Sequence, residues 1–354
     1  MTGTAESSTP IQDSRNLAET ARKRRPVFVM GCHRSGTNLL YDTLLSAGGF
    51  AVYRGYLPIH ETLIPRFGSM SKPGNRKKIV DTWMRSKGFA RAGLEAEPLY
   101  FKLQSECQNG GDFIRIVMDQ IAQKQGARRW AVYDPDSVLH MDKIRRELGN
   151  PMFVHIIRDG RDIALSLMKM GGFRPFPWNR GQRGLLETAL FWQWTVRRGR
   201  EYGRRIPDDY IEVHYEDLVT QPRDALARLG NFLDHDLDYD RIRETGLGRL
   251  RESNSSFLGN EEDTKNPVNR WKEKLSHQQV VELETIIGPT LQEFAYPLTI
   301  ETEHRRTGFR RKCLASIYPR FLSLKHWLKV STPIGRIASL SALELQGEPA
   351  DDDR

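Results

Sequence analysis

The chain has 354 residues, 38% of them hydrophobic, and its 54 Lys and Arg outnumber its 45 Asp and Glu for a net charge of +9. That length and apolar content suffice for one large core without covalent staples, which excludes an intrinsically disordered chain and a small disulfide scaffold. Cys32, Cys107 and Cys313 are odd in number and far apart, which argues against a disulfide framework and for a reducing compartment, and no apolar run is long enough for a membrane span.

Residues 1–25 are polar, rich in Ser and Thr, and end in Arg22-Lys23-Arg24-Arg25 with no apolar stretch after the charges; a disordered basic arm is expected there rather than a secretory signal. Val27, Phe28, Val29 and Met30 then form a strand-like run, and Leu40, Thr43, Leu44 and Ala47 recur with helical spacing. Between them lies Gly31-Cys32-His33-Arg34-Ser35-Gly36-Thr37. Its glycines let the backbone turn N–H groups toward an anion, and the following helix adds the positive end of its dipole, so the segment predicts a cradle for phosphate or sulfate. Gly31 and Gly36 have the separation of the nucleotide P-loop, but Thr37 stands where that motif has its lysine, which disfavours an ATP or GTP hydrolase. Arg34 supplies a cation instead, as a planar fork able to bond two oxygens. His33 reads as a packing or ligand-adjacent residue.

The string Gly31–Thr37 resembles the 5′-phosphosulfate loop of sulfotransferases that use 3′-phosphoadenosine-5′-phosphosulfate (PAPS), in particular the branch holding bacterial and protein-tyrosine sulfotransferases. The resemblance extends over about Pro26 to Pro297. It implies an α/β fold of P-loop-like three-layer type, a central parallel sheet flanked by helices, with Arg34, Ser35, Gly36, Thr37 and Asn38 on the donor, whose spent form is 3′,5′-adenosine bisphosphate. Further along, His60-Glu61-Thr62-Leu63-Ile64-Pro65 resembles the Glu-Thr and Ile-Pro segment of that branch, and Glu61 falls on the family's catalytic base. A carboxylate within reach of the acceptor hydroxyl can take its proton as the oxygen attacks sulfur. His60 is the competing base, since imidazole titrates nearer neutrality. Leu63 stands where the tyrosine branch has a substrate-positioning arginine, which disfavours peptide tyrosine as acceptor.

A basic cluster follows, Lys72 to Lys78 with Arg76 and Lys77, read as a solvated loop or a face for an anionic glycan. At Tyr133-Asp134-Pro135 many relatives carry a lysine in place of Tyr133 that assists the departing oxygen; Arg34, Arg128 or Arg129 are the substitutes within reach in sequence. Pro151 to Met170 repeats the strand-loop-helix design: Phe153, Val154, Ile156 and Ile157 read as an interior strand, Asp159 as an N-cap, and Ile163, Leu167 and Met170 as a buried helix face. Arg158 at the strand end and Ser166 two turns into the helix can converge on one phosphate, and the family's 3′-phosphate site uses that pair. Alone, Arg158 reads equally as an ion pair with Asp159 or Asp162. Gly171 to Gly184 reads as a loop suited to cover a substrate. Asn254 to Lys272 resembles the family's late loop over the 3′-phosphate, which implies Arg270 first, then Lys265 and Ser255, with Trp271 a stacking partner or a buried anchor.

Strands are expected near 27–31, 130–133, 152–157 and 210–214, and helices near 37–47, 138–148, 160–170, 185–203, 222–232 and 277–293; their alternation means a parallel sheet. One catalytic domain is expected over 26–300 and an extension with an acidic tail over 301–354. Residues 305–329 carry eight basic and no acidic side chains, with an apolar stripe of Phe309, Cys313, Ile317, Phe321, Leu324 and Leu328 that Pro319 interrupts. The stripe reads as a docked helix, as a contact to a membrane surface, or as a polyanion site.

The motifs imply in-line, metal-independent transfer to an acceptor hydroxyl, with Glu61 as base and Arg34 and the loop N–H groups stabilising the growing charge. No C-x-x-C or H-E-x-x-H spacing offers a metal site, and no motif supports nucleic-acid binding. A carbohydrate or lipid-linked acceptor and a cytoplasmic enzyme, peripheral to the inner membrane surface if the basic stripe contacts lipid, are the expectations. Two other classes stay open: a P-loop nucleotide-dependent kinase, and a non-catalytic nucleotide-binding protein.

Overall fold

The computed structural model describes residues 22–170, 183–251, 268–299 and 309–345. Five strands, β1 (Val27–Gly31), β2 (Phe50–Ala51), β3 (Arg129–Tyr133), β4 (Met152–Ile157) and β5 (Tyr210–His214), form an all-parallel sheet in the order β2-β3-β1-β4-β5. Every residue of β1 and β4 is buried, which is why both read as apolar runs rather than alternating ones; the exception, His155 of β4, meets the Tyr210 hydroxyl at 2.6 Å through Nδ1. Phe28, Met30 and Phe153 join a core on one side of the sheet, while Val27, Val29, Val154 and Ile156 join a second core on the other. β1 lies between β3 and β4, where the strand order reverses, and ligands of such sheets bind at the carboxyl ends there.

α1 (Thr37–Ser46) follows β1, and the segment beyond β2 folds into helices that the sequence reading left unassigned: α2 (Ile64–Phe67), α3 (Pro73–Met84), α4 (Lys87–Ala92), α5 (Ala96–Glu106) and α6 (Gly110–Gln125). The helix expected near 138–148 is instead a 3₁₀ turn, Pro135–Leu139, followed by α7 (Met141–Leu148). Asp134 caps the turn by accepting from the Asp136 N–H at 3.1 Å, and His140 stands at the break with φ −121°. α8 (Gly160–Met168) and α9 (Leu185–Gly203) lead to β5, and α10 (Tyr215–Thr220), α11 (Pro222–Leu233) and α12 (Tyr239–Thr245) follow it. α13 (Trp271–Lys274), α14 (His277–Glu293) and α15 (Phe309–Ser331) complete the chain's helices among the described residues.

α15 runs unbroken through Pro319. Its docked face overlaps the expected stripe only in part: Tyr318 and Leu322 are buried against Leu190 and Trp194 of α9 with Phe321 packed beside them, whereas Ile317 and Leu324 are 61% and 54% exposed. Trp194 also donates from Nε1 to Ser323 Oγ at 2.9 Å, a further tie between α9 and this face. The basic cluster at 72–78 also divides. Arg76 is buried and donates to the Cys107 carbonyl at 2.8 Å, and Lys77 pairs with Asp81 at 2.6 Å, so neither faces open solvent as a free charge.

Candidate active site at the carboxyl ends of the strands

The loop after β1 carries backbone geometry that an ordinary turn does not need. Arg34 has φ 72° and Gly36 φ 96°, both left-handed, and a Cβ on Gly36 would lie 2.5 Å from the Tyr215 ring. Non-glycine residues held in that region cluster where a ligand requires it. The first-turn N–H groups of α1 have no carbonyl within the helix. Ser35 Oγ is buried with no hydrogen-bond partner among the described residues, so a donor stands waiting inside the cradle.

Arg34 Nε donates to Ser166 Oγ at 2.9 Å, joining the first predicted segment to the second. Arg158, at the end of β4, donates to the Arg34 carbonyl at 3.4 Å, lies 4.3 Å above the Tyr215 ring, and stands 3.9 Å from Asp162. Asp162 in turn accepts from the N–H groups of Asn269 (3.0 Å) and Trp271 (2.8 Å), which places Arg270 between its two anchors. Trp271 is a buried anchor under the Arg161 guanidinium, 3.8 Å away, rather than a stacking surface. Arg34, Arg158, Ser166 and Arg270 thus line one cavity of 560 Å³, together with Lys169 and Lys274. The two lysines were missed in the sequence, although each lies one helical turn beyond a predicted residue, Ser166 and Arg270. Five cations against Asp162 suit a multiply charged phosphate ester. Thr37 is buried at the first turn of α1, and Asn38 opens instead onto a neighbouring 400 Å³ cavity with Tyr41, Asp42, Arg54, Arg91 and Tyr133. Ser255, Lys265 and most of the Gly171–Gly184 loop lie outside the described residues.

Glu61 sits on a π-helical turn, Ile59–Leu63, in which the Leu63 N–H donates to the Pro58 carbonyl five residues back. Pro65 has no N–H for the Glu61 carbonyl, so a regular α turn would leave that acceptor unserved; such wide turns recur at functional sites. Glu61 Oε2 accepts from His140 Nε2 at 2.8 Å, and Oε1 pairs with Lys329 of α15. The neighbouring His60 goes elsewhere: its Nε2 meets Glu147 Oε2 at 2.7 Å, and that oxygen also accepts from the Gly111 N–H at 2.9 Å. Burial, outweighing the pull of Glu147, holds His60 below the ordinary imidazole range. Of the two predicted bases, the structure gathers Glu61 into the site cluster and not His60.

Asp134 and Asp136, just beyond β3, face the same space. Burial, then the charges of Asp136 and Glu61, pushes Asp134 well above the usual carboxylate range. Burial acts on Asp136 too, but the His33 charge and hydrogen bond, at 3.1 Å, overcome it and hold that carboxyl low. His33 is lifted to about 9 because Asp136 outweighs its own burial. Burial and Asp136 likewise drive Glu61 upward, and the His140 hydrogen bond with the Lys329 charge reverses the sign, leaving Glu61 ionised at neutral pH. The His326 ring lies 5.1 Å from that of His140, and burial, then His140, depresses it to about 4. Ligand atoms of Glu61, His140 and His326 fall within 4.8 Å of one another, close enough for a metal ion, but Lys329 already stands against the carboxylate, His140 is hydrogen-bonded to it, and His326 packs on the His140 ring.

Arg129 and Arg128 do not substitute for the missing lysine at Tyr133. Arg129 is buried at the opposite end of β3, donating to the carbonyls of Arg25 (2.7 Å) and Leu233 (2.8 Å), and Arg128 is exposed beside it. Tyr133 packs against Tyr41 with ring centroids 5.0 Å apart. Leu63 is wholly buried in the core.

A cation-lined pocket at the strand ends, beside a glycine loop without a P-loop lysine, marks an α/β protein whose site has the charge to suit a phosphate ester. The profile described as "Sulfotransferase family" matches residues 26–239, more than half of the chain, and the chain belongs to that family. A candidate protein-tyrosine sulfotransferase of Caenorhabditis elegans is 29% identical over 140 residues, covering 38% of this chain and 52% of that protein. Carbohydrate sulfotransferase 7 of Mus musculus is 32% identical over 106 residues, 28% of this chain and 21% of that protein. The chain therefore spans about half or less of the curated relatives it matches. The sulfotransferase domain from the Synechococcus PCC 7002 olefin synthase superposes with a TM-score of 0.51 at 21% identity, over 78% of this chain and 96% of that one, a likeness of fold.

Proposed function

We propose that this protein transfers a sulfuryl group from PAPS to an acceptor hydroxyl, carbohydrate or lipid-linked in preference to peptide tyrosine. The observation that carries the reading is the convergence of Arg34, Arg158, Ser166 and Arg270, from three separated segments, around one cavity at the switch point of the sheet. In the proposed reaction the acceptor oxygen attacks sulfur, the new O–S bond forms as the bond to the phosphate oxygen breaks, the proton passes to Glu61, and 3′,5′-adenosine bisphosphate departs. Arg34 and the loop N–H groups oppose the charge that builds on the transferred oxygens and on the phosphate, as preorganised donors aimed where charge develops. Residues 26–300 are the catalytic domain, to which the extension from 301 adds α15. Metal-free transfer is part of the proposal, since the Lys329 ammonium fills the place a cation would take beside Glu61.

Leu63, buried where the tyrosine branch has an arginine, weighs against peptide tyrosine. The outward side of α15 weighs for a lipid-linked hydroxyl or a membrane-bound glycan: Ile317, Leu324 and Trp327 are each more than half exposed and flank Arg320, while the opposite side of the same helix reaches Glu61. No helix among the described residues is long and apolar enough to cross a membrane. The free Cys32, Cys107 and Cys313 favour a reducing, cytoplasmic setting. The test is incubation with radiolabelled PAPS and three acceptor pools, oligosaccharides, extracted lipids and tyrosine peptides. Label in the lipid or oligosaccharide pool is expected; label confined to the peptides would overturn the acceptor preference, and ATP-dependent labelling would favour the kinase.

A further inference from the structure

The carboxy-terminal helix brings a side chain into the site that no motif of the chain announces. Lys329 lies 268 residues from Glu61 and meets its Oε1, while Oε2 is held by His140. The carboxylate is thereby clamped on both oxygens, one clamp from the break before α7 and one from α15. Two features keep the lysine there. On the amino side, Tyr318 and Leu322 dock α15 against Leu190 and Trp194, and Arg198 donates to Ser323 at 3.0 Å. On the carboxyl side, the 3₁₀ turn Pro333–Ile337 packs on α2, the helix that directly continues the turn bearing Glu61. The approach is close: a Cβ on Gly335 would lie 2.2 Å from the Lys329 carbonyl and 2.8 Å from that of Pro65. One segment therefore both carries the cation and props the backbone of the residue it pairs with.

We propose that Lys329 is a positioning residue of the acceptor side, which holds the Glu61 carboxylate in place as proton acceptor and makes α15 a working part of the site. The inference rests on the reading of Glu61 as the base. Its physical need follows from what surrounds Glu61. Asp134 and Asp136 face it from beyond β3, His33 from the phosphate loop, His140 from the break before α7, and Lys325, His326 and Lys329 from α15. His33 is engaged by Asp136, and burial, with Arg183 and Lys329 beside it, lowers Lys325 to about 8. Lys329 is the ammonium in contact with Glu61, and with the His140 hydrogen bond it opposes burial and the Asp136 charge; without it the balance moves toward the protonated carboxyl, which cannot accept a proton.

The test is a carbon-13 NMR titration of the full chain labelled at the glutamate carboxyl carbons, with the Glu61 signal assigned by its loss in Glu61→Gln. Lys329→Met should raise the Glu61 midpoint by about 1–3 pH units, the usual effect of removing an opposite charge within a few ångströms. Lys329→Arg should restore it to within a few tenths of a unit, which a merely structural role would not require. Affinity for 3′,5′-adenosine bisphosphate should be the same in both variants and in the wild type. A Glu61 midpoint in Lys329→Met equal to the wild-type value overturns the assignment. Failure of the wild type to bind the bisphosphate would instead overturn the donor-site reading, and the titration decides the role of Lys329 in either event.

Discussion

Around the 560 Å³ cavity, Arg34, Arg158 and Ser166 stand at a strand end or within the first turns of the helix that follows, and Arg270 and Lys274 come from a later segment that Asp162 holds through the Asn269 and Trp271 N–H groups. Around Glu61 the groups come from a π turn, a break between two helical segments and the far carboxyl end of the chain. The donor side is assembled mainly from local strand-loop-helix units, with one late segment added, and the acceptor side wholly from long-range packing. Loops borne on a rigid sheet hold an invariant ligand part, whereas a wall made of added helices can be rebuilt for a different acceptor without disturbing the cradle.

That contrast is open to attack at both ends. Glu61→Gln should slow PAPS turnover by about 10²–10⁴-fold, the usual worth of a positioned proton acceptor, and leave bisphosphate affinity unchanged; initial rates beside a binding isotherm check both halves. Equal loss in rate and affinity would erase the division between the two sides. On the donor side, Arg158→Ala should weaken bisphosphate binding roughly 10- to 100-fold, as expected for charge-assisted hydrogen bonds, without altering the Glu61 titration. Leu322→Ala, which opens the small core under α15, should cost about 2–3 kcal/mol in urea unfolding and lower turnover through loss of the Lys329 contact, while the cradle keeps its affinity.

The smallest effect concerns His33. Because Asp136 lifts its pKa above that of the unfolded chain, the protonated pair contributes stability that is full below about pH 6.5 and is lost as pH rises through about 9. Unfolding at pH 6 and pH 10 should therefore show a decline in the wild type that His33→Gln flattens. Added EDTA should leave rate and affinity alike unchanged; a loss on chelation would reassign Glu61, His140 and His326 to a metal.

What could be read in the sequence follows the same line. β1, β4 and the loops beyond them announce themselves because an interior parallel strand must be continuously apolar and a phosphate cradle must have its glycines at fixed spacing. Arg34, Arg158 and Ser166 were therefore legible, whereas Arg270 was reached only through the resemblance of the late loop. The helices between β2 and β3 were not, since Pro73, Gly110 and Gly111 fall at helix starts and interrupt the periodic signal there. His140, His326 and Lys329 left no signal because their meaning depends on which helix face is turned inward. On α15 the docked face takes Phe321 from the apolar stripe together with Tyr318 and Leu322, and leaves Ile317 and Leu324 outward.

The donor cradle is the part of the molecule on which the proposed function depends. Calorimetric titration with 3′,5′-adenosine bisphosphate, beside ATP and without added metal, on wild type and Arg158→Ala, tests it. Micromolar binding of the bisphosphate is expected, weakened by the substitution, with ATP much poorer. Absence of binding, or a preference for magnesium-ATP, would contradict it and make the chain a nucleotide-dependent enzyme of another kind.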